Sequence, residues 1–225
     1  MGNKRIWEID FLRAGAIILM VVFHLVFDLN EFVGIKIDYL NGFWYWEGKI
    51  SALIFIFLAG ISSGFSKNNV KRGIIVLAFA MVVTLVTYIL YKDQYIIFGI
   101  LHFLAVCMLL YPLLQRINNI ILLVMAAAIA FGAIPLKDIV TDNVYLLPLG
   151  ITYKGFSTFD YYPLIPYLSV FILGILAYKT YYYKKLSLFK NYIENAFIRT
   201  VSKNSLAIYL IHQPMLIGMI YLTKI

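Results

Sequence analysis

Seven stretches of this chain, near residues 9–29, 47–65, 72–90, 95–114, 118–134, 161–180 and 204–223, are each apolar over roughly the length that crosses a bilayer. A hydrocarbon core about 30 Å thick takes about 20 residues of helix. Inside it every backbone N–H and C=O must be satisfied internally, which an α-helix does within its own segment. Composition agrees: 63% of the 225 residues are apolar and 13% charged, against about 45–50% and 25% in a soluble domain. The expected fold is all-α, a polytopic transmembrane bundle of about seven spans forming a single domain over 1–225. A water-soluble globule is excluded. Cys107 is the single cysteine, which excludes an internal disulfide framework and a cysteine-based metal cluster. No metal is expected.

An odd number of crossings puts the termini on opposite sides. With the N-terminus inside, 13 of the 19 Lys and Arg residues fall on inner segments and 6 on outer ones, a bias that predicts N-in and C-out. The net charge of +8 therefore reports orientation in a membrane, and no nucleic-acid partner is expected. The first span carries Arg13, His24 and Asp28 and lacks a polar small-residue cleavage site, so it is expected to remain in the mature protein. The longest loops fall near 30–46, 135–160 and 181–203. Trp44 and Trp46 close the first of these, where an interfacial aromatic belt is expected.

An ionisable group within the bilayer costs at least about 2.5–3.5 kcal/mol, so each needs a partner or a use. All three histidines, His24, His102 and His212, fall within the apolar stretches, which points to a shared polar cavity. The first helix is the most informative. Arg13 and His24 are 11 residues apart, within about 20° of three full turns, and share one face. Asp28 follows His24 by one turn. The offset from Arg13 to His24 is about 16 Å along the axis, placing the arginine near the inner surface and the imidazole in the outer half.

A histidine with a carboxylate at i+4 can have its tautomer and ring orientation fixed, as a general base requires. A guanidinium at the inner end suits phosphate, because its fork donates bidentately and stays charged at any depth. Lys71 and Arg72 add two cations on the same expected side. A phosphorylated donor with a long uncharged arm, the shape of coenzyme A, matches a face of this length.

The residues Glu8-Ile9-Asp10-Phe11-Leu12-Arg13, then Ile17-Ile18-Leu19-Met20 and Phe23-His24, resemble the first span of membrane-bound acyltransferases, where arginine and histidine are separated by ten residues. The closer resemblance is to the bacterial branch of the heparan-α-glucosaminide N-acetyltransferase catalytic-domain family. It extends through Phe55–Ser62, Phe98–Phe103, Asp160–Tyr167 and Ser205–Pro214. The resemblance implies an integral protein of a bacterial plasma membrane that moves an acetyl or other short acyl group from cytoplasmic acyl-CoA to an extracytoplasmic carbohydrate or related acceptor. His24 takes its implied role from the wider Arg-to-His pattern. Arg13-Ala14-Gly15 stands where the family usually has Arg-Gly.

Further polar residues are candidates for an acceptor site or its supporting cavity. Ser205, Tyr209 and His212 make a stripe at i, i+4 and i+7 of the last span, and Gln213 beside them is a possible donor to a thioester oxyanion. Asp160, with Tyr161, precedes the sixth span, either capping it or hydrogen-bonding a sugar. Gly60 and Gly64 form a GxxxG suited to close helix packing. Expected partners are membrane lipids and a carbohydrate or glycolipid acceptor, with a homo-oligomer or a partner subunit also compatible. Two readings from other classes remain at this point: a proton-coupled transporter or flippase, because intramembrane ionisable groups mark such pathways too, and a non-catalytic partner of another membrane enzyme.

Overall fold

A computed structural model describes residues 6–136, 139–189 and 195–223. Of the charges counted for orientation, Lys4, Arg5, Lys137, Lys190 and Lys224 lie outside the described residues. The described residues form eight α-helices: α1 (Trp7–Glu31), α2 (Gly42–Phe65), α3 (Asn69–Leu90), α4 (Ile100–Leu114), α5 (Asn119–Leu136), α6 (Leu164–Thr180), α7 (Ala196–Lys203) and α8 (Ser205–Thr223). Each of the seven apolar stretches overlaps one of these helices. Five helices, α1, α2, α3, α5 and α8, are long and apolar enough to cross a membrane, whereas α4 and α6 are shorter apolar helices.

The boundaries follow local chemistry. Glu8 and Asp10 sit in the first turn of α1, where the helix dipole favours negative charge. Gly42 opens α2 at φ +68°, a conformation that suits glycine, while the Asp38 carboxylate accepts from the N–H groups of Leu40 and Asn41. This starts α2 before the expected aromatic loop is over, so Phe43, Trp44 and Tyr45 occupy its first turn and Trp46 opens the second. Asn68 caps α3 by accepting from the Lys71 N–H. α4 starts at residue 100, not near 95. The Thr87 hydroxyl accepts from the Ile96 N–H and the Thr84 hydroxyl donates to the Ile96 carbonyl, holding this apolar stretch out of the helix.

The chain divides into two compact units, residues 1–58 with 184–225 and residues 59–183, with the division falling within α2. In the first unit α1 packs against α7 and α8. The amino-terminal half of α2 joins α1 where the Ser51 hydroxyl donates to the Ala16 carbonyl at 2.8 Å. It also meets α8, where Phe55 stacks on Tyr209. The basic segment after α6, expected as a loop, contains α7. Asn195 caps this helix by accepting from the N–H groups of Phe197 and Ile198.

In the second unit α3 pairs with α4 and α5 with α6. Phe103, Ala105 and Cys107 of α4 are fully buried, so most of this short helix packs against protein, although Leu113 near its end is exposed. The glycine pair is used as expected: a Cβ on Gly60 would overlap the Phe171 carbonyl and one on Gly64 the Tyr178 ring, bringing α2 onto α6. The outer surfaces of α3 and α5 remain apolar, with Ile74, Met81, Leu85, Ile89, Ile120 and Phe131 among their exposed residues. An apolar exterior of this extent belongs in lipid.

Candidate functional site

Five expected site residues meet on α1 and α8. The ring of His24 lies 4.6 Å from that of His212, centroid to centroid, nearly perpendicular at 81°. One turn further along α1, Asp28 is wholly buried and its Oδ1 accepts from Gln213 Nε2 at 2.6 Å. Tyr209 completes the group, with its ring 5.5 Å from that of His212.

The histidines are oriented by backbone, not by the carboxylate. His24 Nδ1–H donates to the Met20 carbonyl at 2.8 Å, and His212 Nδ1–H donates to the Tyr209 carbonyl at 2.6 Å. Side chains on a helix lean toward its amino end. His24 therefore reaches back onto residue 20, while Asp28 is drawn across to α8. This corrects the expectation that Asp28 fixes the His24 tautomer. Because a carbonyl only accepts, each neutral ring carries its hydrogen on Nδ1 and leaves a lone pair on Nε2. Among the described residues neither Nε2 has a hydrogen-bond partner. Asp28 Oδ2 and Gln213 Oε1 are also buried without a partner. Gln213 commits one amide hydrogen to Asp28, so the expected donor to a thioester presents an open acceptor oxygen as well.

At the other end of the α1 face, Arg13 Nη1 donates to Ser202 Oγ at 3.3 Å, and Ser202 Oγ donates to Asp10 Oδ1 at 2.5 Å. Ser202 of α7 thereby hydrogen-bonds both the guanidinium and the carboxylate three residues before it. Glu8 ties down the neighbouring segment, accepting from the Ser187 hydroxyl and the Leu188 N–H. Asp10, three residues before Arg13, was the local neighbour available to the sequence reading, which missed Ser202. That reading also missed Glu47, a buried α2 residue with neither carboxylate oxygen hydrogen-bonded. An acidic residue opening an apolar stretch was the available signal for Glu47.

The other candidates belong to the second unit. Lys71 and Arg72 are exposed in the first turn of α3. His102 is buried and fully satisfied: its Nδ1 accepts from the Gly99 N–H, and its Nε2–H donates to Thr84 Oγ1, which donates onward to the Ile96 carbonyl. Its position three residues past the helix boundary makes it half of a capping box. Asp160 also caps a helix, but it is α4 and not the expected α6: its Oδ2 accepts from the Ile100 N–H at 2.8 Å. Burial pushes its carboxyl up to about 6, against the opposing effect of that hydrogen bond. The Tyr161 hydroxyl donates to the Leu147 carbonyl at 2.7 Å, and burial pushes it up to about 12. Among the described residues no group of three or more His, Cys, Asp or Glu side chains has the arrangement to hold a metal ion.

The geometry thus offers two oriented imidazoles with open lone pairs beside a buried carboxylate, on a helix whose other end carries an arginine. No curated protein and no solved structure matches the chain. Residues 5–214 match the family described as heparan-alpha-glucosaminide N-acetyltransferase, catalytic. The chain belongs to this family, and its function is of the membrane acetyltransferase type.

Proposed function

We propose that the protein transfers an acetyl or other short acyl group from cytoplasmic acyl-CoA to an extracytoplasmic carbohydrate or glycolipid acceptor. In this reading α1 to α6 and α8 make seven crossings of a bacterial plasma membrane, with the N-terminus inside. The observation that carries it is His24, held by the Met20 carbonyl with its Nε2 lone pair open, in a chain of this family. His24 Nε2 takes the proton of the acceptor hydroxyl or amine as that group attacks the thioester carbonyl. The acceptor-to-carbon bond forms, the carbon–sulfur bond breaks, and the thiolate of CoA leaves with the electron pair. Asp28 contributes a buried carboxylate one turn from the ring as it becomes an imidazolium. Transfer through an acyl group carried on His24 is compatible with the same residues.

Arg13 is assigned to the phosphates of the donor, for which the hydrogen bond from Arg13 to Ser202 must be exchanged. Lys71 and Arg72, which belong to the second unit, are assigned a general electrostatic attraction for anionic donors at the inner surface, tested on its own by charge removal. Acetyl-CoA should raise the thermal stability of the detergent-solubilised protein by mass action, about 2.7 kcal/mol at a hundredfold excess over Kd, and Arg13→Ala should abolish most of that gain. With glucosamine as acceptor probe, His24→Ala should lower turnover by about 10²- to 10⁴-fold while acetyl-CoA still stabilises the protein. Undiminished acetyl transfer by His24→Ala refutes the assignment of the base.

A further inference from the structure

The unsatisfied atoms on facing turns of α1 and α8 share one chemical character. His24 Nε2, His212 Nε2, Asp28 Oδ2 and Gln213 Oε1 are all hydrogen-bond acceptors, and none has a donor among the described residues. Asp28 is 0% and His212 7% exposed. Three of these atoms, His212 Nε2, Asp28 Oδ2 and Gln213 Oε1, are buried, with the half-buried His24 beside them. Buried polar atoms are ordinarily satisfied, and three buried acceptors with no donor are costly until something supplies hydrogens. A thioester carbonyl is itself an acceptor and cannot meet this need. The acceptor substrate can, because its nucleophile and the groups beside it carry O–H or N–H hydrogens.

We propose that these four atoms bind the nucleophilic end of the acceptor, with His24 Nε2 and His212 Nε2 each taking one of two neighbouring hydrogens. The two hydrogens belong to an amine or to adjacent hydroxyls. His212 is then a second catalytic residue, in contact with substrate, and not only a neighbour of His24. Two observations support this beyond the absence of partners. The rings are in contact at 4.6 Å, so their open nitrogens serve one small region. Each ring is also independently locked by a carbonyl three or four residues earlier, so two separate devices present the same nitrogen. In the step itself the nucleophile bonds to the acyl carbon, CoA leaves as thiolate, and the proton of the attacking atom goes to one Nε2. The second Nε2 holds the neighbouring hydrogen and fixes which atom attacks. The proton then passes to the thiolate or to solvent.

The inference rests on the acyltransferase reading, and the experiment separates the two. His212→Asn places an amide donor near the position of Nδ1 and deletes Nε2. Acetyl-CoA-dependent stabilisation and the turnover of glucosamine are measured on the native protein, His24→Asn and His212→Asn. The expected result for His212→Asn is unchanged acetyl-CoA stabilisation, a KM for glucosamine raised at least about tenfold, and kcat lowered by about 10²-fold. Values of kcat and KM within about threefold of native, alongside an inactive His24→Asn, overturn the role of His212 and leave the acyltransferase reading standing. A native protein that neither binds nor cleaves acetyl-CoA overturns both. Parallel loss of acetyl-CoA stabilisation and turnover in His212→Asn makes His212 structural and overturns the proposal. Because that variant could fail to fold, ¹⁵N-imidazole spectra of the native protein provide an independent reading. His24 and His212 should both show the Nδ1–H tautomer and His102 the Nε2–H tautomer. An Nε2–H tautomer at either member of the pair overturns the proposal.

Discussion

Asp160→Asn should change how stability depends on pH while leaving the fold intact. The Asp160 carboxyl accepts from the first N–H of α4, and an asparagine amide oxygen can accept the same bond. What the substitution removes is a titration. The group ordinarily ionises near 3.8, and burial in the folded protein raises this to about 6. Between those values the folded state holds the proton more tightly than the unfolded one. The stabilising contribution is therefore complete below about 3.8 and is lost as pH rises through about 6. A shift of about two pH units corresponds to about 3 kcal/mol at most. The assay is thermal unfolding of native and Asp160→Asn protein in the same detergent from pH 4.5 to 7.5, taking the difference at each pH so that other titrating groups cancel. The native protein should be about as stable as the variant at the acid end and lose ground to it as pH rises, with most of the change complete by pH 7. A difference that is flat across the range, or a native protein that gains on the variant as pH rises, refutes the assignment of Asp160 as a carboxyl whose charge burial disfavours.

Gly60→Ala should destabilise the protein by about 1–3 kcal/mol, because its Cβ would overlap a backbone carbonyl that cannot move aside, whereas Gly64→Ala meets the Tyr178 ring and should cost less; equal unfolding temperatures for the two would contradict this. Ser202→Ala should cost about 1–3 kcal/mol, since a nearly inaccessible hydroxyl joins Arg13 and Asp10, and proteolysis after α6 should accelerate as α7 detaches. Glu47→Leu should raise the unfolding temperature by removing a buried carboxylate with no hydrogen-bond partner. If that temperature falls instead, Glu47 is held by an interaction other than a hydrogen bond from this chain.

Helix content was legible because length and apolarity are properties of contiguous sequence, and the bilayer imposes both. Boundaries were less so. Residues 95–99 are as apolar as the helix they precede, yet Thr84 and Thr87 of α3 claim the backbone of Ile96. α7 escaped notice for the opposite reason. It has eight residues, too few for a span, and its clearest signal is the capping Asn195 in a segment otherwise read as basic loop.

The functional face shows where one-dimensional reasoning stops. The spacing of Arg13, His24 and Asp28 put them on one stripe of α1, and helical geometry alone suffices for that. Which atom meets which was not contained in the spacing. His24 has two possible fixing groups one turn away, the carboxylate at 28 and the carbonyl at 20, and only the second requires no competing partner. Asp28 has such a competitor in Gln213, 185 residues along the chain. A contact at that separation is invisible to any rule based on i+4 neighbours. The same holds for Arg13, whose neighbour Asp10 is local but whose hydrogen bond to Ser202 spans 189 residues. The chemistry of α1 is thus set by its own periodicity as to position and by α7 and α8 as to partners. Substitutions on those later helices should alter the reactivity of His24 and the availability of Arg13 without touching either residue.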